Sequence, residues 1–84
     1  MFLLINIYES QTTSAYVANM NQFESFDAAQ KEMQKCVQRA YWDYYKTWTE
    51  DKEDEDREPH VDRDDTTMFV VGYDHKDIWQ IYHL

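Results

Sequence analysis

The side chains best suited to catalysis in this sequence are one cysteine, Cys36, and three histidines, including His75 and His83. A cysteine nucleophile requires a base beside its thiol. Cys36 has no histidine near it in the sequence and falls within an apolar helical stripe, which is typical of a buried, unreactive thiol. His75 falls in a predicted turn and His83 is penultimate, so both are predicted at the surface. The only glycine, Gly72, lies in a predicted strand, where it indicates a bulge or an aromatic contact and not a phosphate loop. The sequence therefore predicts no catalytic residues and no enzyme.

Carboxylates are the most abundant reactive groups, and they are concentrated in one interval. The acidic segment, residues 49–65 (TEDKEDEDREPHVDRDD), contains ten of the seventeen acidic residues and carries a net charge of −7 out of −9. Carboxylates bind calcium or magnesium, and His60, Asp62 and Asp64 could add ligands. However, the segment lacks the glycine and the regular alternation of an EF-hand loop, and two-residue spacings arise readily in such a composition. We therefore predict no metal site and no cofactor.

The acidic segment has two interpretations. In the first, its like charges repel and stay hydrated, so that it forms a mobile crossover between a helix and a sheet. In the second, it is an interaction surface, because clustered carboxylates raise the encounter rate with a basic protein and repel competing nucleic acid. The residues predicted to bind such a partner are Glu50, Asp51, Glu53, Asp54, Glu55, Asp56 and Glu58.

An aromatic cluster, YWDYYKTW at residues 41–48, immediately precedes the acidic segment. Spacings of three and four residues place Tyr41, Tyr44, Tyr45 and Trp48 on the apolar stripe of a helix, which predicts that they pack in the core. Trp42 lies about 100° from Tyr41 around the helix axis and is harder to bury on that face. Because tryptophan beside a charged rim is typical of protein interfaces, Trp42 and Trp48 join the predicted partner-binding residues.

The hydrophobic pattern predicts a single α+β domain over residues 1–84, in which one long helix packs on a small antiparallel sheet. Four strands are predicted, at residues 2–9, 15–20, 66–73 and 78–84. The last two form a hairpin through a turn at residues 74–77. Ser25 is the predicted N-cap of a helix that continues to Trp48. The predicted order is β-β-α-β-β, with the acidic segment as the loop between the helix and the third strand.

Composition and charge restrict the compartment and the partners. The single cysteine excludes an intramolecular disulfide bond, which favours a reducing compartment. The first residues, MFLLINIYE, lack the basic region and long apolar run of a signal peptide, and no stretch approaches the ~20 apolar residues of a membrane span. A net charge of −9 also opposes direct binding to nucleic acid or anionic lipid. We expect a cytoplasmic protein without direct contact to membranes or nucleic acid.

A small, acidic, cysteine-poor α/β chain with carboxylates such as EDKEDEDRE resembles the inhibitors that phages use against host defences, such as anti-CRISPR proteins and anti-restriction DNA mimics. The resemblance covers size, composition and residues 49–65, and it includes no sequence signature. It implies a protein of the host cytoplasm that presents carboxylates to the lysines and arginines of a nuclease or another basic nucleic-acid-binding protein.

The leading prediction is therefore a non-enzymatic inhibitor of phage or mobile-element origin, which competes sterically and electrostatically with nucleic acid. The alternative is a structural or assembly module that forms homo-oligomers through its sheet edges or its helix. Salt dependence discriminates between them, because screening weakens binding to a basic partner, whereas apolar self-association persists at high salt.

Overall fold

A computed structural model of the protein describes residues 1–50, 59–72 and 75–84. Within these residues, five strands form one antiparallel sheet and one helix lies across it, so the predicted α+β class is confirmed. The elements in chain order are β1 (Phe2–Ser10), β2 (Tyr16–Phe23), α1 (Phe26–Glu50), β3 (His60–Arg63), β4 (Thr67–Val71) and β5 (His75–His83).

The first and last strands pair at the middle of the sheet. The strand order is β2-β1-β5-β4-β3, and β1 is antiparallel to both β2 and β5. The amide of Leu84 donates a hydrogen bond to the carbonyl of Met1 at 2.9 Å, which holds the two described ends together. Because β2 and β3 lie at opposite edges, α1 and the residues after it carry the chain from one edge of the sheet to the other.

Local sequence determines where α1 begins. The Ser25 hydroxyl accepts a hydrogen bond from the amide of Ala28 at 3.1 Å, as expected of an N-cap residue. Asp27 lies in the first turn, where its charge complements the helix dipole, and it pairs with Lys31 at 3.1 Å. That ion pair is largely exposed and contributes little to stability. At about 1.5 Å per residue, the 25 residues of α1 span about 37 Å.

The hydrophobic core lies between α1 and one face of the sheet. Ala29, Met33 and Val37 are completely buried along the helix. They form one cluster with the buried strand residues Leu4, Met68, Val70, Trp79 and Ile81. The register pairs Leu4 with Ile81 and Met68 with Trp79, so these side chains belong to the same face. Each buried aliphatic side chain stabilises the fold by roughly 1.5–3 kcal/mol, and the helix is therefore fixed across the sheet.

Part of the predicted acidic loop is instead a strand. Residues 60–63 form β3, which pairs with β4 from His60 opposite Val71 to Arg63 opposite Met68. Val61 is the single apolar residue of β3. The hydrophobic pattern of the sequence was therefore too weak to predict a strand here. β3 lies at the edge of the sheet and is largely exposed, and charged residues such as Asp62 and Arg63 protect an unpaired edge from pairing with another chain. The prediction of an acidic loop throughout residues 49–65 is therefore wrong for residues 60–63.

The predicted turn at residues 74–77 is also displaced. β5 begins at His75, and the amide of Gly72 donates a hydrogen bond to the carbonyl of His75 at 2.9 Å. His75 and Asp77 extend the alternation of Trp79 and Ile81, so they lie on the face that carries the helix. A charged residue within this strand is accommodated because polar partners from α1 and β1 reach it, as described below.

Candidate partner-binding surface

The C-terminal half of α1 carries a group of aromatic rings in mutual contact, here called the aromatic surface: Tyr41, Trp42, Tyr45 and Trp48. The ring centroid of Tyr45 lies 6.0 Å from that of Tyr41, 6.0 Å from that of Trp42 and 5.5 Å from that of Trp48. The Trp42–Tyr45 pair meets edge to face at 84°, an arrangement worth about 0.5–1.5 kcal/mol beyond area burial. The rings therefore hold each other in place as one surface.

Trp42 is the most accessible member of the aromatic surface. Its side chain is 60% exposed, whereas Tyr41, Tyr45 and Trp48 are half-buried. Trp42 leaves the inward stripe, as its 100° offset from Tyr41 predicts. A large exposed tryptophan held by a neighbouring ring loses little conformational entropy on binding, which is the property of an interface anchor.

The length of α1 explains why these rings are not fully covered. Tyr44 is the last helix residue in contact with the core cluster, and α1 continues to Glu50. Six further residues add about 9 Å of helix beyond the core. The final turns, including Trp48, therefore lie beyond the helix residues that pack against the core cluster, and they lead directly into the acidic segment.

Most of the predicted acidic contact residues lie outside the described residues: Asp51, Glu53, Asp54, Glu55, Asp56 and Glu58. Glu50 is the last residue of α1, and its side chain is likewise outside the description. All seven lie within ten residues of Trp48 in the sequence, and α1 ends at Glu50, the first of them.

The described part of the acidic segment has a different environment. Asp62 is exposed on β3, and the exposed Asp64 and Asp65 form the connection to β4. The amide of Asp64 donates a hydrogen bond to the carbonyl of Thr67 at 2.8 Å, and Gln30 of α1 donates to the carbonyl of Asp65 at 3.3 Å. These hydrogen bonds hold the backbone of this connection next to the first half of α1, and the carboxylates themselves are exposed.

A groove of about 800 Å³ lies between α1 and β3. Tyr41 and Trp42 line its helix side, and His60 and Arg63 line its strand side. Among the described residues that line the groove, Arg63 carries a positive charge and none carries a carboxylate. The groove offers apolar and hydrogen-bonding groups next to Trp42, whereas the carboxylates predicted to bind a partner belong to residues 50–58 of the sequence.

The nucleophile candidate, Cys36, is half-buried in α1. Its thiol donates a long hydrogen bond to Glu32 Oε1 at 3.7 Å. Burial and the adjacent Glu32 carboxylate raise the pKa of the Cys36 thiol. Because the thiolate is the reactive species, both effects oppose nucleophilic chemistry at this position. The structure thus gives Cys36 the environment of a structural thiol.

The two candidate histidines differ from each other. His83 is exposed at the end of β5 and stacks on Phe2 with ring centroids 4.6 Å apart. The surface prediction for His75 is wrong, because its ring is half-buried, edge-on to Tyr44 at 4.1 Å. A Cβ built on Gly72 would lie 2.8 Å from His75 Nε2 and 3.2 Å from Tyr44 Cδ2. The backbone at Gly72 therefore passes close to two rings, which agrees with the aromatic contact, one of the two roles predicted for this glycine.

Sequence reasoning missed a polar cluster that joins α1 to the sheet. The Tyr44 hydroxyl donates a short hydrogen bond to Asp77 Oδ2, and Asn6 Nδ2 donates to Asp77 Oδ1 at 3.1 Å. Burial and the Asp77 carboxylate raise the pKa of Tyr44 far above its ordinary value, so the phenol stays protonated and acts as a donor. Such a phenol is neither a base nor a nucleophile, and the cluster fixes the helix beside the aromatic surface. The sequence did contain one indication of this cluster, because Asp77 lies at two-residue spacing from Trp79 and Ile81 and therefore shares their face of the strand.

Residues 1–50, 59–72 and 75–84 show neither a metal-binding cluster nor a membrane-spanning helix. In this part of the chain, no three His, Cys, Asp or Glu side chains come together as a metal site would require. No helix there combines the length and the apolar character needed to cross a bilayer.

Comparison with known proteins gave no match: neither a protein-family model, nor a curated protein, nor a solved structure is significantly similar to this chain. No residue role is therefore transferred from a relative, and the aromatic surface with its adjoining charge run is the candidate site.

Proposed function

We propose that this protein is a non-enzymatic, protein-binding inhibitor that occupies the nucleic-acid-binding surface of a basic protein, such as a nuclease of a host defence system. The carboxylates of residues 50–58 pair with lysine and arginine side chains of the target. Trp42 and Trp48 bury apolar area at the centre of the contact. Nucleic acid is then excluded both by the space that the inhibitor fills and by its charge.

The observation that carries this proposal is the position of the aromatic surface. A tryptophan with 60% of its side chain exposed, in contact with Tyr45 and followed by Trp48, stands where α1 leads into the charge run. Interfaces concentrate binding energy in a few tryptophan, tyrosine and arginine anchors surrounded by polar residues. Here the anchors and the charged surroundings are adjacent in sequence.

The two kinds of residue contribute differently to binding. Clustered carboxylates steer a basic partner toward the site and raise the association rate, an effect that falls as salt screens the charges. Buried aromatic contacts act mainly on the dissociation rate and are insensitive to salt. The proposal therefore requires that the affinity for the basic partner falls strongly as salt is raised. It also requires that removal of Trp42 or Trp48 lowers this affinity by a factor that does not depend on salt.

Isosteric removal of charge tests the carboxylates. The variant Asp54→Asn, Glu55→Gln, Asp56→Asn converts three carboxylates to amides and changes the net charge from −9 to −6. We expect it to lose most capture of basic proteins from a bacterial lysate, because three charge-assisted contacts of the site are removed. Capture is measured by pull-down at about 50 mM and about 500 mM salt, two conditions that differ in Debye length by roughly threefold.

A matched control separates the site from overall charge. The variant Glu24→Gln, Asp27→Asn, Glu32→Gln makes the same change in net charge at the opposite end of α1. The control is expected to capture the same proteins as the unmodified chain. Equal capture by all three proteins would contradict the proposal, as would equal loss in both variants, since the effect would then follow net charge and not position.

A further inference from the structure

The sheet has a second face that carries no helix among the described residues, here called the open face. On β1 the helix side presents Leu4, which is buried, and the alternate residues Leu3, Ile5 and Ile7 point the other way. The register extends this face across the sheet to Val17 and Met20 of β2, to Ile78 of β5 and to Phe69 of β4. None of these residues is fully buried.

Apolar side chains form a continuous row across four adjacent strands of the open face. Ile7 pairs with Val17 on one side and with Ile78 on the other, and Ile78 pairs with Phe69. The next row adds Ile5, which pairs with Met20. At the margin next to β2, Val17 is 56% exposed and Met20 is 59% exposed. A contiguous apolar patch of this kind marks an interaction site in a water-soluble domain.

We infer that two copies of this chain pack their open faces together, sheet on sheet, about a two-fold axis that passes near Ile7 and Ile78. Such an interface is isologous, so each copy offers the same apolar row to the other. Two sheets packed face to face enclose a layer about 10 Å thick filled by their inner side chains. The inference is independent of the proposed inhibitor function, which uses the end of α1.

The charge distribution favours a second copy as the occupant. The chain carries a net charge of −9, so two copies repel each other over most of their surface. The described charged residues of the open face are Glu9 and Lys76, which pair at 3.0 Å, and Asp62 at the edge on β3. The centre of the face is uncharged. Two acidic copies can therefore approach each other at this centre with little local repulsion.

The extent of the open face also suits a dimer. Strands β1 and β5 have nine residues each, β2 has eight and β4 has five, so at ~3.3 Å per residue and ~4.8 Å between strands their projected area is roughly 490 Å². Side chains that protrude from the plane enlarge the accessible area. Stable interfaces bury about 600–1,000 Å² on each partner, so with its protruding side chains the face approaches the lower end of that range.

Other occupants within the chain and other modes of self-association fit less well. Residues 51–58 (DKEDEDRE) contain no apolar side chain that could cover the open face. The sheet edges, one of the two predicted routes to self-association, are poorly suited to strand pairing. β3 has four residues and two charges, and β2 has a register shift at Ala18 that interrupts its edge.

Sedimentation equilibrium of the unmodified protein tests the inference first. Measurements from about 1 µM to about 500 µM cover the affinities expected of an interface of this size. We expect a reversible monomer–dimer equilibrium whose dimer fraction increases when salt is raised, because screening reduces the repulsion between two acidic copies. A monomer mass at every concentration and at both low and high salt would overturn the inference.

Two substitutions assign the dimer to the open face. Ile7→Lys places a charge at the centre of the row while reducing the net charge to −8, so dissociation cannot result from greater overall repulsion. We expect the dissociation constant to rise by about 30-fold or more, the effect of losing an interface hot spot. Asn21→Lys is the matched control, since it makes the same charge change on an exposed residue of β2 that faces the other way.

Circular dichroism confirms that each variant folds. If Ile7→Lys does not fold, Met20→Lys replaces it, because the Met20 side chain is already 59% exposed and contributes little to the fold. A dimer that persists in the folded open-face variant, or that Asn21→Lys disrupts equally, would show that the copies associate elsewhere and would overturn the inference.

Discussion

Tyr44 and Asp77 show how one pair of polar side chains determines the geometry of the candidate site. Tyr44 is a partly buried residue of α1 that packs against the core cluster, and its hydroxyl donates a hydrogen bond to Asp77 on β5. Asn6 donates to the other carboxylate oxygen at 3.1 Å and to the carbonyl of Ile78 at 3.1 Å. A partly buried carboxylate with donors on both oxygens is satisfied, and within the described residues no buried side-chain polar atom lacks a partner.

Tyr44→Phe tests this contact. The variant loses a hydrogen bond to a charged group. Because this contact is only half-buried, we expect the free energy of unfolding to fall by about 1–2 kcal/mol at neutral pH. The folded state raises the pKa of Tyr44 above its ordinary value of 10.0, so the stabilisation is complete below that pH and is lost as pH rises above it. The difference between the two proteins should therefore narrow in alkaline solution.

Urea unfolding of both proteins at about pH 7 and about pH 11, on either side of the ordinary tyrosine pKa, measures this difference. A difference that is unchanged or larger at the higher pH would contradict the assignment of Tyr44 as a protonated donor.

Some residues of the site could be recognised from the sequence, and others could not. The offset of Trp42 from the apolar stripe was visible, and the ring is exposed. Tyr45 was assigned to the core because it shares that stripe, yet it also contacts Trp42 and Trp48. The Tyr44–Asp77 contact joins residues 33 positions apart, and no local pattern reports such a contact.

At the scale of elements, α1 was the best predicted part of the chain. Its cap at Ser25 and its long apolar periodicity fixed the start, and the observed end at Glu50 is two residues past the predicted one. The strands were harder to delimit. β2 reaches Phe23 although residues 21–22 are polar, because this edge strand is exposed on both faces along most of its length and needs no apolar alternation.

The helix end is expected to contribute to binding independently of charge. Trp42→Ala removes the exposed anchor of α1 and leaves the core intact, so the fold should be retained. We expect the dissociation rate from a captured partner to increase by about tenfold or more, equally at low and high salt, since the lost contact is apolar. Surface plasmon resonance measures this rate directly.

Tyr16→Ala is the matched control for Trp42→Ala. Tyr16 is also an exposed aromatic residue, with 50% of its side chain accessible, but it lies on β2 at the edge of the sheet opposite β3. This variant is expected to dissociate at the original rate. Equal rates for the unmodified protein and Trp42→Ala would exclude the aromatic surface from the contact.

For the whole molecule, the class of fold followed from the sequence but the arrangement of strands did not. Hydrophobic periodicity distinguished one helix from several strands. The order β2-β1-β5-β4-β3 depends on pairing between β1 and β5, which lie at opposite ends of the described chain. The open face could not be predicted either. Whether a sheet is covered on one face or on both depends on which elements pack against it and not on the local alternation of side chains.

The two proposed contacts lie on different parts of the molecule. The aromatic surface belongs to the end of α1, on the helix side of the sheet, and the open face is on the opposite side. A dimer formed through the open faces would therefore leave both helix ends accessible. Two linked binding sites would raise the apparent affinity for a target with repeated basic sites.

The most direct test of the proposed function is displacement of nucleic acid from a captured basic partner. A fluorescently labelled oligonucleotide is bound to that partner, and its anisotropy is followed as this protein is added. We expect anisotropy to fall to the value of the free oligonucleotide, with the midpoint moving to higher protein concentration for the Asp54→Asn, Glu55→Gln, Asp56→Asn variant and not for its charge-matched control. If the oligonucleotide stays bound while this protein also binds, forming a ternary complex, competition for one surface is contradicted.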